Sequence, residues 1–264
     1  MRRFLFCITL CLATAVLGIA AEPELTRDQI KEFLLKAKVV GAKQTKKGIT
    51  NPFRLTLTDG TITHEAVFQA VDEHRTTMQF ADGHTEINFV DSYKYNLGAY
   101  ILSEMLGQDN IPIHVERKWD GKIGSLSWLV PVQMDEEERL KKKIPAPNPD
   151  TWNKQMYRVR VINELAYDTD ANLTNVLVGE GWKIWRVDFS RAFRLNKEVR
   201  VQNLTNCDRQ LFEKLKVLDG KEFALRTKNI LTKPEVEAVM ARRDKIVAHF
   251  QKLIAEKGES AVLY

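Results

Sequence analysis

A helix-patterned segment carrying Trp152, Met156, Val159, Ile162 and Ala166 runs into a polar stretch, Tyr167-Asp168-Thr169-Asp170-Ala171-Asn172-Leu173-Thr174-Asn175. Two short apolar runs follow, Val176-Leu177-Val178 and Ile184 to Val187, separated by Gly179-Glu180-Gly181. They read as a hairpin. The chain leaves the second run through Trp185-Arg186-Val187-Asp188-Phe189-Ser190-Arg191-Ala192-Phe193. Asp170 and Asn175 are five positions apart, and Asp188 is thirteen beyond Asn175. A hairpin of that length brings all three to one end of a small sheet. Isolated Asp and Asn are ordinary turn residues, because their side chains satisfy loop backbone. Three of them at the mouths of two paired strands make a candidate site.

The rest of the chain sets the frame. Thr26-Arg27-Asp28 opens a short helix to about Ala37. Lys38-Val39-Val40, Phe53 to Thr58 and Thr61 to Val71 read as strands, the last two joined by Asp59-Gly60. A basic loop from Gly41 to Gly48 joins the first two. Asp91-Ser92 caps a helix with Leu97, Ile101, Leu102 and Met105 on one face, ending at Gly107. Ile111 to Val115 and Leu126 to Val130 form another strand pair around Asp120-Gly121. From Pro131 the pattern turns helical, beginning with a charged segment, Asp135 to Lys143, spaced for i,i+4 pairing. It closes with a long helix opened by the capping box Thr232-Lys233-Pro234-Glu235. The expected fold is α+β and bilobal: a small antiparallel β lobe with one helix over 27–130, then a mainly helical lobe over 131–264.

Composition narrows the function. Met1-Arg2-Arg3, the apolar run Phe4 to Ala20 and the small-residue exit Gly18-Ile19-Ala20 mark residues 1–21 as a signal peptide. An uncleaved N-terminal anchor is the alternative, since the run approaches the ~18 residues of a membrane span. Both put the body outside the cytoplasm, periplasmic or secreted, with a membrane partner only if the leader stays. Of three cysteines, Cys7 and Cys11 fall in the leader, so Cys207 has no intramolecular partner beyond it. The formal charge of +5 includes Arg2 and Arg3. The body is therefore only mildly basic, with no Lys/Arg stripe among aromatics, which argues against a nucleic-acid partner. His64, His74 and His84 form no short-spaced ligand pair and read as surface turn residues.

Phosphoryl transfer uses a carboxylate to orient the attacking hydroxyl, plus an amide oxygen and a second carboxylate to hold Mg²⁺. Here the chain resembles the protein-kinase-like superfamily, nearest its phosphoinositide-kinase and HipA-type branch. Asp170-Ala171-Asn172-Leu173-Thr174-Asn175 is similar to the HipA-type catalytic loop. Val187-Asp188-Phe189-Ser190-Arg191-Ala192-Phe193 is similar to the Asp-Phe-Gly metal motif with its downstream aromatic. More weakly, the resemblance runs from about Val39 to Phe193, through Ala66 to Asp72 and Ser92 to Tyr100.

The resemblance implies Mg²⁺ and ATP bound between the lobes, with Asp170 as base and Asn175 and Asp188 as metal ligands. Trp128-Leu129-Val130 would be the hinge that meets adenine with its backbone, which makes Leu129 a nucleotide contact. It also implies a phosphate-binding lysine where this chain has Gln69, and a partnering glutamate where Asn96 is the nearest match. Lys46, Lys47 and Arg54 are candidates to supply the missing positive charge. Ser190 replaces a glycine and Asn172 a loop histidine. Two functions stay open: an exported kinase-like phosphotransferase with an unidentified protein or small-molecule hydroxyl acceptor, and a pseudokinase acting as a binding or scaffold module. Asp170, Asn175 and Asp188 favour the first; Gln69 and Asn96 favour the second. A third, an unrelated α+β binding domain, follows if the hairpin carries Asp188 away from Asp170.

Overall fold

A computed structural model describes residues 25–45, 52–80 and 82–264. The leader, Lys46 and Lys47 lie outside the described residues. Helix α1 (Arg27–Lys36) opens on a reciprocal capping box between Thr26 and Gln29. Strands β1 (Lys38–Gln44), β2 (Phe53–Thr58) and β3 (Thr63–Gln69) pair antiparallel in sequence order. The first is longer than its apolar residues suggest: past a bulge between Val39 and Gly41, pairing continues to Gln44 opposite Phe53. The β2–β3 turn forms where expected. Asp59 Oδ1 accepts from the Thr61 and Ile62 amides, each at 2.8 Å.

Two strands without a sequence signature come next, β4 (Asp72–Gln79) and β5 (Thr85–Ser92), a hairpin inserted ahead of helix α2 (Tyr93–Met105). Only Phe89 and Ser92 among their residues are buried, so alternation of polar and apolar residues never develops. Ser92, not Asp91, caps α2 with its side chain. The hairpin makes His74 a strand residue and His84 its turn residue, while His64 lies on β3.

This hairpin grips the segment after Asp188. Glu86 meets Arg191 and Arg194 at 2.5 Å each. The Arg191 guanidinium lies 4.9 and 5.3 Å from the Phe80 and Phe89 ring centroids. The Ser92 amide donates to the Ser190 carbonyl at 2.8 Å. Glu86→Gln is expected to lower stability by about 1–3 kcal/mol, because two half-buried arginines lose a charged acceptor. Urea unfolding checks this, and an unchanged midpoint would show that the grip contributes nothing.

Strands β6 (His114–Trp119) and β7 (Lys122–Trp128) complete a five-stranded sheet of order β1-β2-β3-β7-β6. Beyond it β8 (Val132–Asp135) leads into helix α3 (Glu136–Lys141) and helix α4 (Pro149–Ala166). The pair β9 (Val176–Gly179) and β10 (Ile184–Arg186) joins β8 in a small sheet of order β10-β9-β8. Helices α5 (Arg209–Val217), α6 (Gly220–Arg226), α7 (Lys233–Lys257) and the short α8 (Glu259–Val262) finish the second lobe. The main core runs through both lobes, from Leu55, Phe68 and Leu126 to Leu165, Phe193 and Phe250. Among the described residues no helix is long and apolar enough to cross a membrane.

Candidate active site

Helix α4 ends at Tyr167, which takes a left-handed conformation (φ 48°) and turns the chain so that Asp168 points inward. Asp168 is 1% exposed and Arg186 on β10 is 0% exposed. Their side chains form a buried ion pair. Burial pushes the Asp168 carboxyl up and the Arg186 guanidinium down, and each offsets the other's desolvation. Arg186 holds more than its partner. It donates to Asn163 Oδ1 at 3.0 Å and to the carbonyls of Asn175 (3.5 Å), Val187 and Asp188 (3.2 Å). One guanidinium therefore ties the Asp170–Asn175 loop to the Asp188 loop.

Local bonds finish the geometry. The Asp168 carboxylate accepts from the Asp170 amide at 2.9 Å. Asn172 caps the single turn Leu173–Asn175 by accepting from the Thr174 and Asn175 amides. Asn175 Nδ2 donates to the Asp170 carbonyl at 3.1 Å, which leaves Oδ1 as the polar atom it presents. Asp188 sits at φ 59°, a conformation that Asp tolerates better than most residues. Neither Asp168 nor Arg186 was singled out from the sequence. The available signal was a charged residue inside the otherwise apolar run Ile184 to Val187.

Between the lobes lies a cleft of about 350 Å³, bordered by Val67, Gln69 and Asn96, by Ser125, Ser127 and Leu129, and by Asn175 and Asp188. Gln69 and Asn96 meet, as a neutral pair: Asn96 Nδ2 donates to Gln69 Oε1 at 2.7 Å. Asn96 Oδ1 accepts from the Phe189 amide at 2.7 Å, so a polar relay runs from β3 through α2 to the residue after Asp188. Gly124 permits the close packing behind Gln69, since a Cβ there would lie 2.4 Å from the Gln69 carbonyl oxygen.

The other expected contacts fall differently. Arg54 is ion-paired to Glu65 and does not border the cleft. None of the described residues bordering the cleft is Lys or Arg. Leu129 borders it, but its amide donates to the Glu65 carbonyl at 3.1 Å and its carbonyl faces His64 Nε2 at 3.0 Å. His64 stacks on Trp128 with ring centroids 3.4 Å apart, so it is a structural residue of the hinge and not a surface turn histidine. The amide expected to read a base is thus committed inside the chain. Val130, next along, makes no hydrogen bond through its amide among the described residues. Asp170 stands outside the cleft proper, with its carboxylate accepting from Asn172 Nδ2 at 3.2 Å and the Arg191 guanidinium 3.9 Å away as an ion pair. Cys207 is buried, which pushes its thiol up and away from nucleophilic use.

His114, on β6, also borders the cleft and is buried; that burial pulls its pKa down to about 4 from an ordinary 6.5. The folded state then resists a proton that the unfolded chain accepts. The resulting contribution is complete above pH 6.5 and fades as pH falls toward 4. The wild type is expected to lose about 3 kcal/mol more than His114→Gln over that interval. Chemical denaturation at stepped pH checks this, and parallel curves for the two proteins would contradict it.

Among the described residues no group of three His, Cys, Asp or Glu is arranged to hold a metal. The pair Asp188 and Asn175 offers a carboxylate and an amide oxygen at one edge of the cleft. Hard oxygen donors in that number fit a divalent cation such as Mg²⁺ that takes its other ligands from phosphate and water.

No family model and no curated protein matches the sequence. Solved structures match the fold. Hydra Fam20, solved with sugar, shares 13% identity at a TM-score of 0.62, over 90% of this chain and 91% of that one. The Golgi casein kinase shares 12% at 0.61, over 90% and 77%. The Helicobacter pylori proinflammatory kinase CtkA shares 9% at 0.51, over 85% and 98%. The fold is kinase-like. In this kinase-like fold the five-stranded sheet and α2 supply one wall of the cleft, and the β9–β10 hairpin with its two loops supplies the other.

Proposed function

We propose that the protein is an exported kinase-like phosphotransferase that binds Mg²⁺-ATP in the cleft between its lobes and passes a phosphoryl group to a hydroxyl acceptor. The observation that carries this is the joint anchoring of the Asp170–Asn175 loop and the Asp188 loop on Arg186. Asp170 would orient the acceptor hydroxyl and take its proton, a role open to a carboxylate on the loop that carries Asn175 to the cleft. Asn175 and Asp188 would hold the cation, which when bound neutralises phosphate charge. In support, a Golgi casein kinase structure of similar fold (TM-score 0.60, 12% identity) has Mn and ADP bound. Kinship to the HipA-type and phosphoinositide-kinase branch belongs to this proposal through the two loop motifs.

The pseudokinase reading has its own support. The Gln69–Asn96 pair is neutral, and no Lys or Arg stands among the described cleft residues to take the place of the usual phosphate-binding cation. Asp170→Asn separates the two. Under the enzyme reading it spares Mg²⁺-ATP binding and cuts ATP consumption by roughly 100-fold or more. If wild-type protein binds Mg²⁺-ATP and consumes none with any hydroxyl acceptor supplied, the scaffold reading takes its place.

A further inference from the structure

On its sheet side the cleft is bordered by two side chains with acceptor capacity, Ser127 and His114. His114 and Val67 both pair with Ser127 across neighbouring strands, so the three share one row of the sheet face that borders the cleft. Ser127 donates its hydroxyl proton to the Val67 carbonyl at 3.4 Å, which leaves its oxygen lone pairs. His114 Nδ1 lies 2.7 Å from the Pro112 carbonyl and must carry the proton there. In the neutral ring Nε2 is then a bare acceptor, and it has no hydrogen-bond partner among the described residues. The hinge carbonyl that a base would otherwise meet, Leu129, already faces His64.

We infer that Ser127 and His114 form an acceptor subsite that selects a ligand carrying an amino donor on its ring, a 6-aminopurine over a 6-oxopurine. The inference rests on nucleotide binding in this cleft and adds the determinant of base choice. Ser127, a small residue, stands beside His114 in the strand register, and both border the cleft. A 6-amino group donates to these acceptors. A 6-oxo group sets its lone pairs against the bare Nε2 of His114, and a buried acceptor left unmatched weakens binding.

Nucleosides test the subsite apart from phosphate and metal. Titration calorimetry of the full chain with adenosine, purine riboside (no 6-substituent) and inosine is expected to rank them in that order, with roughly tenfold or more between adenosine and inosine. His114→Leu is expected to shrink that ratio to about threefold or less, mainly by weakening adenosine. The wild-type ranking stands without the variant should His114→Leu fail to fold. Inosine binding as tightly as adenosine, or a ratio unchanged in a folded His114→Leu, overturns the subsite alone. No binding of any nucleoside, nor of Mg²⁺-ATP, overturns both the subsite and the nucleotide reading beneath it.

Discussion

Arg186→Met is expected to lower the unfolding free energy by about 3–5 kcal/mol, because it strands a buried carboxylate. Asp168 is 1% exposed and has no other cationic contact of that closeness among the described residues. The Val187 and Asp188 carbonyls lose their Arg186 donor as well, while that of Asn175 keeps the Val187 amide at 3.0 Å. Adding Asp168→Leu should restore much of the stability, since an apolar pair replaces a charged pair without an orphan charge. It should not restore the site. The Asn175 and Asp188 loops lose the guanidinium that spans them and keep the Val187 amide on the Asn175 carbonyl at 3.0 Å, so nucleotide binding stays weakened while folding recovers. Urea unfolding beside calorimetry with Mg²⁺-ATP separates these effects. A loss below about 1 kcal/mol for Arg186→Met, or full binding in the double variant, would refute the tether.

Asp188→Asn carries the second large effect, on binding instead of stability. Asn matches Asp in shape and is at ease at φ 59°, so the fold should hold. What changes is charge. Asp188 is the one carboxylate among the described residues that border the cleft, and no Lys or Arg borders it. Phosphates entering such a cleft meet no protein cation among those residues, so the proposed site balances their charge with a divalent ion on Asp188 and Asn175. Loss of that carboxylate is therefore expected to weaken Mg²⁺-ATP binding by about 100-fold or more. Adenosine, which brings no phosphate, should bind the variant and the wild type alike. Equal Mg²⁺-ATP affinity in both would place the metal elsewhere.

The Asp170, Asn175 and Asp188 spacing was legible because residue separation within a short hairpin is nearly a structural coordinate. Strands β2 and β3 and the long helices were legible for the same reason, that one face of each is buried and shows its period. The β4–β5 hairpin was not. Its two faces are mostly exposed, so its residues carry no pattern, and its place is set by Glu86 reaching two arginines more than a hundred positions away. Arg186 hid because a single charge in a strand is normally a solvent-facing residue, and its partners are backbone carbonyls that leave no trace in side-chain chemistry. His64 hid differently. Its ring stacks on Trp128 from a neighbouring strand, and only strand register shows that.

Thermal unfolding of the full chain with ATP, with and without Mg²⁺, tests the central claim most directly. Ligand at about 100-fold over its dissociation constant stabilises by roughly 2.7 kcal/mol, a rise of several degrees for a chain of 264 residues. The expected result is a rise of that size that requires Mg²⁺ and vanishes in Asp188→Asn. No rise at millimolar ATP with Mg²⁺, or an equal rise without it, would contradict a metal-nucleotide site in this cleft.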